Sequence, residues 1–180
     1  FAHVNDINAL TRGIDIALAT NGAFIFEVHY LGKVIEEMQY DMIYHEHIYY
    51  YSLVSLQKHF ARYDMMIFDV KPISIHAGSM RFYVCKKRGC HAEESQQVKN
   101  LVEEELSNGF HKVETFSRFA ADIENQKKQL MEFLQSIKAK GQTIVGYGAS
   151  GRANTMIQYC AINHDIMEYI IDDATAKHGY

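Results

Sequence analysis

The chain has 180 residues, 48% of them apolar and 22% charged, enough for one sizeable core or two small ones in a protein that folds in water. A net charge of −4 without a basic stripe excludes the electrostatic footprint of a nucleic-acid binder, and no apolar run approaches the roughly 20 residues that span a bilayer. Three cysteines without a C-x-x-C pair argue against a disulfide framework or thiolate zinc site and read as reduced side chains; with no charged leader, the expected setting is cytoplasmic.

Asn5 or Asp6 is placed to cap a helix whose apolar positions Ile7, Leu10, Ile14, Ala17 and Leu18 recur at helical spacing up to Ala19, where Asn21-Gly22 stops it. Ala23 to Val28 is a continuous apolar run of the kind found in strands covered on both faces, the habit of parallel sheets, and Glu27 is its anomaly. A short helix is expected over Lys33 to Met38 and another over Leu53 to Tyr63, with Leu53, Leu56, Phe60 and Tyr63 on one face. Two strand-like runs, Met66 to Val70 and Met80 to Cys85, then form a hairpin, and Pro72 places the first at a strand end or sheet edge.

From Glu93 to Lys140 the pattern is helical, with Val98, Leu101, Val102 and Leu106 as one stripe and Phe116, Phe119, Ile123, Leu130, Phe133, Leu134 and Ile137 as another; Asn108-Gly109 divides the two helices. The aromatic members of the second stripe are expected in core or interdomain packing. The final stretch reads strand, glycine turn, helix, strand: Thr143 to Val145, Gly146 to Gly151, Ala153 to Tyr159, and Tyr169 to Ile171 running into Asp172-Asp173. The opening at Phe1 and the close at Lys177-His178-Gly179-Tyr180 both read as cut from something longer.

Two constellations carry chemistry. Tyr44-His45-Glu46-His47-Ile48-Tyr49-Tyr50-Tyr51 gathers two imidazoles, a carboxylate and four phenols in eight residues. As a strand the cluster would be divided between two faces, whereas a loop lining a pocket would converge it. A histidine oriented by a carboxylate, with phenol donors at hand, suits removal of a proton beside a carbonyl and stabilisation of the enolate. A hinge whose histidines bond to backbone is the bland alternative. His45-x-His47 also offers ligand types for zinc, iron or nickel, but further ligands would have to come from His3, His29 or His76, and no metal is assigned.

The second constellation is Gly146-x-Gly148-x-x-Gly151, which matches a dinucleotide-binding spacing, with Asp172 about 20 residues on where a ribose-binding acid would sit. A glycine turn packed without ligand is the alternative, and Arg152 and Asn154 favour a bound anion.

Together, Ala2-His3-Val4, the strand Leu18 to Val28, Tyr40-Asp41-Met42-Ile43-Tyr44-His45-Glu46-His47, Ile75 to Arg81 and Gly146-Tyr147-Gly148-Ala149 followed by Asn154-Thr155 and Tyr159-Cys160 resemble one family across the whole chain. It is the S-adenosylmethionine-dependent C-methyltransferases acting on nucleotide-linked keto-sugars. The resemblance implies an α/β fold: part of a class I methyltransferase sheet with the active-site segment over 1–90, a helical connector over 91–140, and the start of a Rossmann-like substrate domain over 141–180. It carries over Tyr44, Glu46, His47 and His3 as catalytic residues, with His47 the first choice of base and His3 its rival.

Phe1, Ala2 and His3 are expected beside the cofactor, S-adenosylmethionine, whose main binding turn belongs upstream, so that this stretch alone is expected to be inactive. Tyr49, His76, Ser79, Arg81, Gly146, Tyr147, Gly148, Ala149, Arg152 and Asn154 are the candidates to hold a nucleotide-linked sugar, the expected partner in place of nucleic acid or membrane. The alternatives kept beside this reading are an NAD-dependent oxidoreductase or epimerase fragment built on the glycine turn, and a non-catalytic sugar-nucleotide binding module.

Overall fold

The computed structural model describes residues 1–75, 78–89 and 93–179. By internal contacts the chain divides into two compact units, one comprising Phe1–Glu37 and His45–Phe116, the other Met38–Tyr44 and Ser117–Tyr180. The fold is mixed α/β, as the family resemblance implies, with a small antiparallel sheet in the first unit and a βαβ element in the second.

In the first unit, α1 (Ile7–Ala17) starts where Asp6 accepts hydrogen bonds from the amides of Asn8 and Ala9, and it ends at extended Leu18, before the Asn21-Gly22 signal. Strand β1 (Phe24–His29) leads into α2 (Leu31–Glu36), and α3 (Leu53–Ala61) starts at Ser52 with a capping box to Ser55. The hairpin β2 (Met65–Ile73) and β3 (Ser79–Lys86) follows, then α4 (Gln96–Ser107).

The sheet order is β1-β3-β2, both pairings antiparallel. This corrects the expectation of a strand covered on both faces: β1 alternates, with Phe26 and Val28 buried and Ile25 and Glu27 exposed. The anomalous Glu27 lies opposite Arg81 in the register and pairs with it, Arg81 Nε donating over 2.7 Å. Pro72 lies on edge strand β2, where a missing N–H costs no ladder bond. A bulge at Phe68 frees its carbonyl to accept from the amide of Ser95, the cap of α4. Phe60, Phe82, Leu53, Leu56, Ile67, Val84 and Val98 form the heart of the core. Cys85 is disulfide-bonded, against the reading of the cysteines as reduced, whereas Cys160 of the second unit is free and buried.

Helix α5 (Val113–Ala139) begins in the first unit and continues into the second. Its aromatic stripe is not a core stripe: Phe119 is buried, but Phe116 and Phe133 are exposed. Strand β4 (Val145–Tyr147), α6 (Gly151–Cys160) and β5 (Tyr169–Ile171) form the predicted strand, turn, helix and strand, the two strands parallel. Segment 38–44, with a 3₁₀ turn over Tyr40–Met42, packs on α6. There Arg152 Nε donates to Asp41 over 2.7 Å and the Tyr40 ring lies 5.5 Å from that of Tyr159. No helix among the described residues is long and apolar enough to cross a membrane.

Candidate active site

The His/Tyr segment is a loop, with a turn at His45-Glu46. Its downstream half is fixed by main-chain bonds on two sides. The amide of Ile48 donates to the Ala2 carbonyl over 3.0 Å, and Tyr51 forms a parallel bridge with Tyr30, whose neighbour Leu31 donates its amide to the Tyr51 carbonyl. Side chains add to this attachment: the Tyr51 hydroxyl donates to the Phe1 carbonyl at 3.2 Å and the Tyr49 hydroxyl to the Asn5 carbonyl at 3.3 Å. Residues 1–5 are thus laid along the loop.

The consequence is an imidazole pair. The ring of exposed His3 meets that of half-buried His47 edge-on, 4.8 Å between centroids, and the Tyr50 ring lies 5.9 Å from His47 on tilted planes. Two groups 44 positions apart in sequence are brought together by the Ile48–Ala2 bond. Glu46 is exposed at the turn, one residue before His47, while Tyr44 closes the segment assigned to the second unit. Among the described residues no three His, Cys, Asp or Glu side chains are gathered as a metal site requires.

Residues 1 and 2 do not fit an adenosyl-binding role through their side chains. Phe1 stacks on Phe26 with centroids 4.5 Å apart and lies within the Phe24, Tyr51 and Phe60 rings, and Ala2 is buried. Their carbonyls already accept from Tyr51 and Ile48. Of the three residues expected beside the cofactor, His3 alone presents a polar side chain outward.

For the substrate candidates of the first unit, Arg81 is engaged by Glu27 across the strands, and Ser79 is buried at the start of β3 opposite His29. His76 lies outside the described residues. In the second unit, the glycine turn has a different internal logic from a dinucleotide site. The amide of Ala149 donates to Asp172 over 2.7 Å, and the same carboxylate accepts from the amide of Ala174 and from Lys177 Nζ, each at 2.8 Å.

Lys177 first, then the two amides, hold the Asp172 carboxyl at about 2, well below its ordinary value. The acid that a nicotinamide reading would aim at a ribose therefore ties the turn to the segment after β5. Gly148 has φ +88°, a left-handed conformation that favours glycine, while Gly146 is needed for packing, because a Cβ there would lie 2.8 Å from Met167 Sδ and 3.0 Å from Ile170 Cγ1. Ala149 also lines a cleft of 660 Å³ with Asp172, Lys177 and His178. Tyr147 and Asn154 are exposed, and Arg152 is half-buried in its pair with Asp41.

One group escaped the sequence reading. Glu105 is fully buried and accepts from the amides of Leu53 at 2.6 Å and Val54 at 2.8 Å and from the Tyr30 hydroxyl at 2.9 Å. Burial raises its pKa, and the amide and phenol donors pull it back. A signal was present: Glu105 follows Val98 by seven and Leu101 by four, so a carboxylate stands on the buried stripe, where Leu106 was expected and is instead exposed.

A model of the C-methyltransferase C-terminal domain matches residues 74–180. The chain is also similar to a protein of Streptomyces niveus described as C-methyltransferase NovU, 31% identical over 179 residues, which is 99% of this chain and 42% of that relative. The chain thus spans less than half the length of the relative it matches.

Proposed function

The chain belongs to the C-methyltransferase C-terminal domain family, and on that premise we propose that it serves C-methylation of the carbon beside a ketone in a nucleotide-linked sugar. The observation that carries this reading is the edge-on approach of His3 to His47 at 4.8 Å. S-adenosylmethionine is the methyl donor that the family implies.

His47 takes the proton from the carbon next to the carbonyl, with His3 as the rival base. As the C–H bond breaks, its electron pair moves into the ring carbonyl, and Tyr44 donates to the oxygen where negative charge develops. Glu46 balances the imidazolium that forms. The stacked Phe1 and buried Ala2 hold His3 in place, so the two imidazoles keep their geometry through the proton transfer. Within the second unit taken by itself, Arg152, paired with Asp41, offers a cation that suits a diphosphate, and the cleft beside Ala149, which Arg152 does not line, offers space for a nucleoside.

Proton removal can be measured apart from methyl transfer. With a nucleotide-linked keto-sugar in D₂O, the enzyme should exchange deuterium into the carbon beside the ketone, and His47→Ala should slow that exchange by about 10²- to 10⁴-fold. Exchange unchanged in both His47→Ala and His3→Ala would remove the imidazole pair from the reaction.

A further inference from the structure

We propose that Glu105 is the positioning residue of the imidazole site, its buried carboxylate fixing both stretches of chain that clasp Tyr51 and through Tyr51 the loop bearing His47. The inference rests on the proposed role of His47.

Helix α3 begins directly after the loop, and its first amides need acceptors. Ser52 supplies one through its hydroxyl, which accepts from Ser55, and its carbonyl accepts from Leu56. The remaining two, Leu53 and Val54, donate to the two oxygens of Glu105, delivered from α4 more than fifty positions away. A helix start open to water needs no such partner. Taking a carboxylate fully out of water is costly, and here three donors offset that cost.

The third donor ties in a further stretch of chain. Tyr30 Oη donates to the same oxygen as Leu53, and the backbone of Tyr30 is bridged to Tyr51. Its ring reaches Glu105 by lying over Gly32, where a Cβ would come within 2.3 Å of Tyr30 Cε1. One carboxylate therefore joins residue 30 to residues 53 and 54, on either side of the bridge at Tyr51. From Tyr51 the attachment continues through its hydroxyl to Phe1, and three residues upstream Ile48 is bonded to Ala2. Every link between Glu105 and the two imidazoles is a hydrogen bond or a few residues of chain.

Glu105→Gln keeps the shape and the oxygen facing Leu53 and Tyr30, but turns an amide NH₂ toward the N–H of Val54, donor against donor. In the whole enzyme, this variant should still unfold in one cooperative transition, lowered by the stranded Val54 amide, and keep its KM within about twofold while kcat and deuterium exchange fall together by about 10- to 100-fold. Tyr30→Phe should give a smaller loss, and the double variant should be no worse than Glu105→Gln alone, because both act through one carboxylate. Unchanged kcat in folded Glu105→Gln, with exchange abolished in His47→Ala, overturns the positioning role and leaves the base standing. If His47→Ala also leaves exchange intact, the site reading falls and this inference with it. Should Glu105→Gln not fold, Tyr30→Phe decides: a drop in kcat at constant KM supports the role, and an unchanged kcat overturns it.

Discussion

The amide of Ala149 donates to the carboxylate of Asp172 over 2.7 Å, so the glycine turn and the acid twenty residues beyond it are partners of each other. In a nicotinamide site those two elements face a pyrophosphate and a ribose. Titration with NADH should therefore give no saturable fluorescence change. The same bond predicts that the Ala149 amide resonance follows Asp172 with an apparent pKa of about 2 in place of the ordinary 3.8. Because the folded value is depressed, this contribution is complete above pH 3.8 and is lost as pH falls through about 2.

The three glycines of the turn should respond differently to alanine. Gly146→Ala forces a Cβ against Met167 and Ile170 and should cost about 1–3 kcal/mol. At Gly148 the left-handed backbone makes alanine cost about 1–2 kcal/mol. Gly151, at the start of α6, has nothing within 4 Å of an added Cβ, so alanine there should be neutral or stabilising by about 0.5 kcal/mol. Urea unfolding of the three variants gives the order directly. A dinucleotide fingerprint would make its third glycine intolerant, since close helix packing requires it.

Thr11 donates its single hydroxyl proton to the Ile7 carbonyl at 2.8 Å and so accepts from His59 Nε2, also 2.8 Å away. Thr11→Val should leave that part-buried N–H without its protein acceptor and cost about 1 kcal/mol in denaturant unfolding. Burial first, and Arg62 second, lower the His59 pKa below its ordinary 6.5. Folding favours the neutral ring over the charged one. Its contribution is complete above pH 6.5 and is lost as pH drops toward the depressed value, so a stability curve from pH 8 to 5 should flatten in His59→Gln.

Arg152 pairs with Asp41 through Nε, and both side chains are partly exposed at 43% and 25%. Arg152→Ala should change stability by less than about 1 kcal/mol. If the guanidinium also meets the substrate diphosphate, KM for the nucleotide-linked sugar should rise about tenfold with kcat unchanged, the signature of binding energy shared by ground and transition states. Steady-state kinetics with varied sugar nucleotide checks this.

Much of the architecture was legible because it is local. Asp6 capping α1, the hairpin around Pro72, the break at Asn108-Gly109 and the strand-turn-helix-strand ending are all signalled within a few residues. The alternation of β1 is not legible in its residues, because a run of apolar residues looks the same whether one face is covered or two, and only packing of the core against the face of Phe26 and Val28 decides it. In the candidate site, the Tyr/His loop stood out by composition. What surrounds it did not, since the pairing of Arg81 with Glu27 depends on the strand register, and the burial of Glu105, the last of three successive glutamates, depends on how α4 packs.

Sequence by itself determined the elements, the family and the presence of a titratable loop, since helical period, turn chemistry and motif spacing are properties of neighbouring residues. Tertiary structure decided which of those residues meet: His3 with His47, Asp172 with Ala149, and Glu105 with the start of α3. The reason is physical. A hydrogen bond or ring contact depends on separation in space, and between residues dozens of positions apart that separation is set by how the core packs.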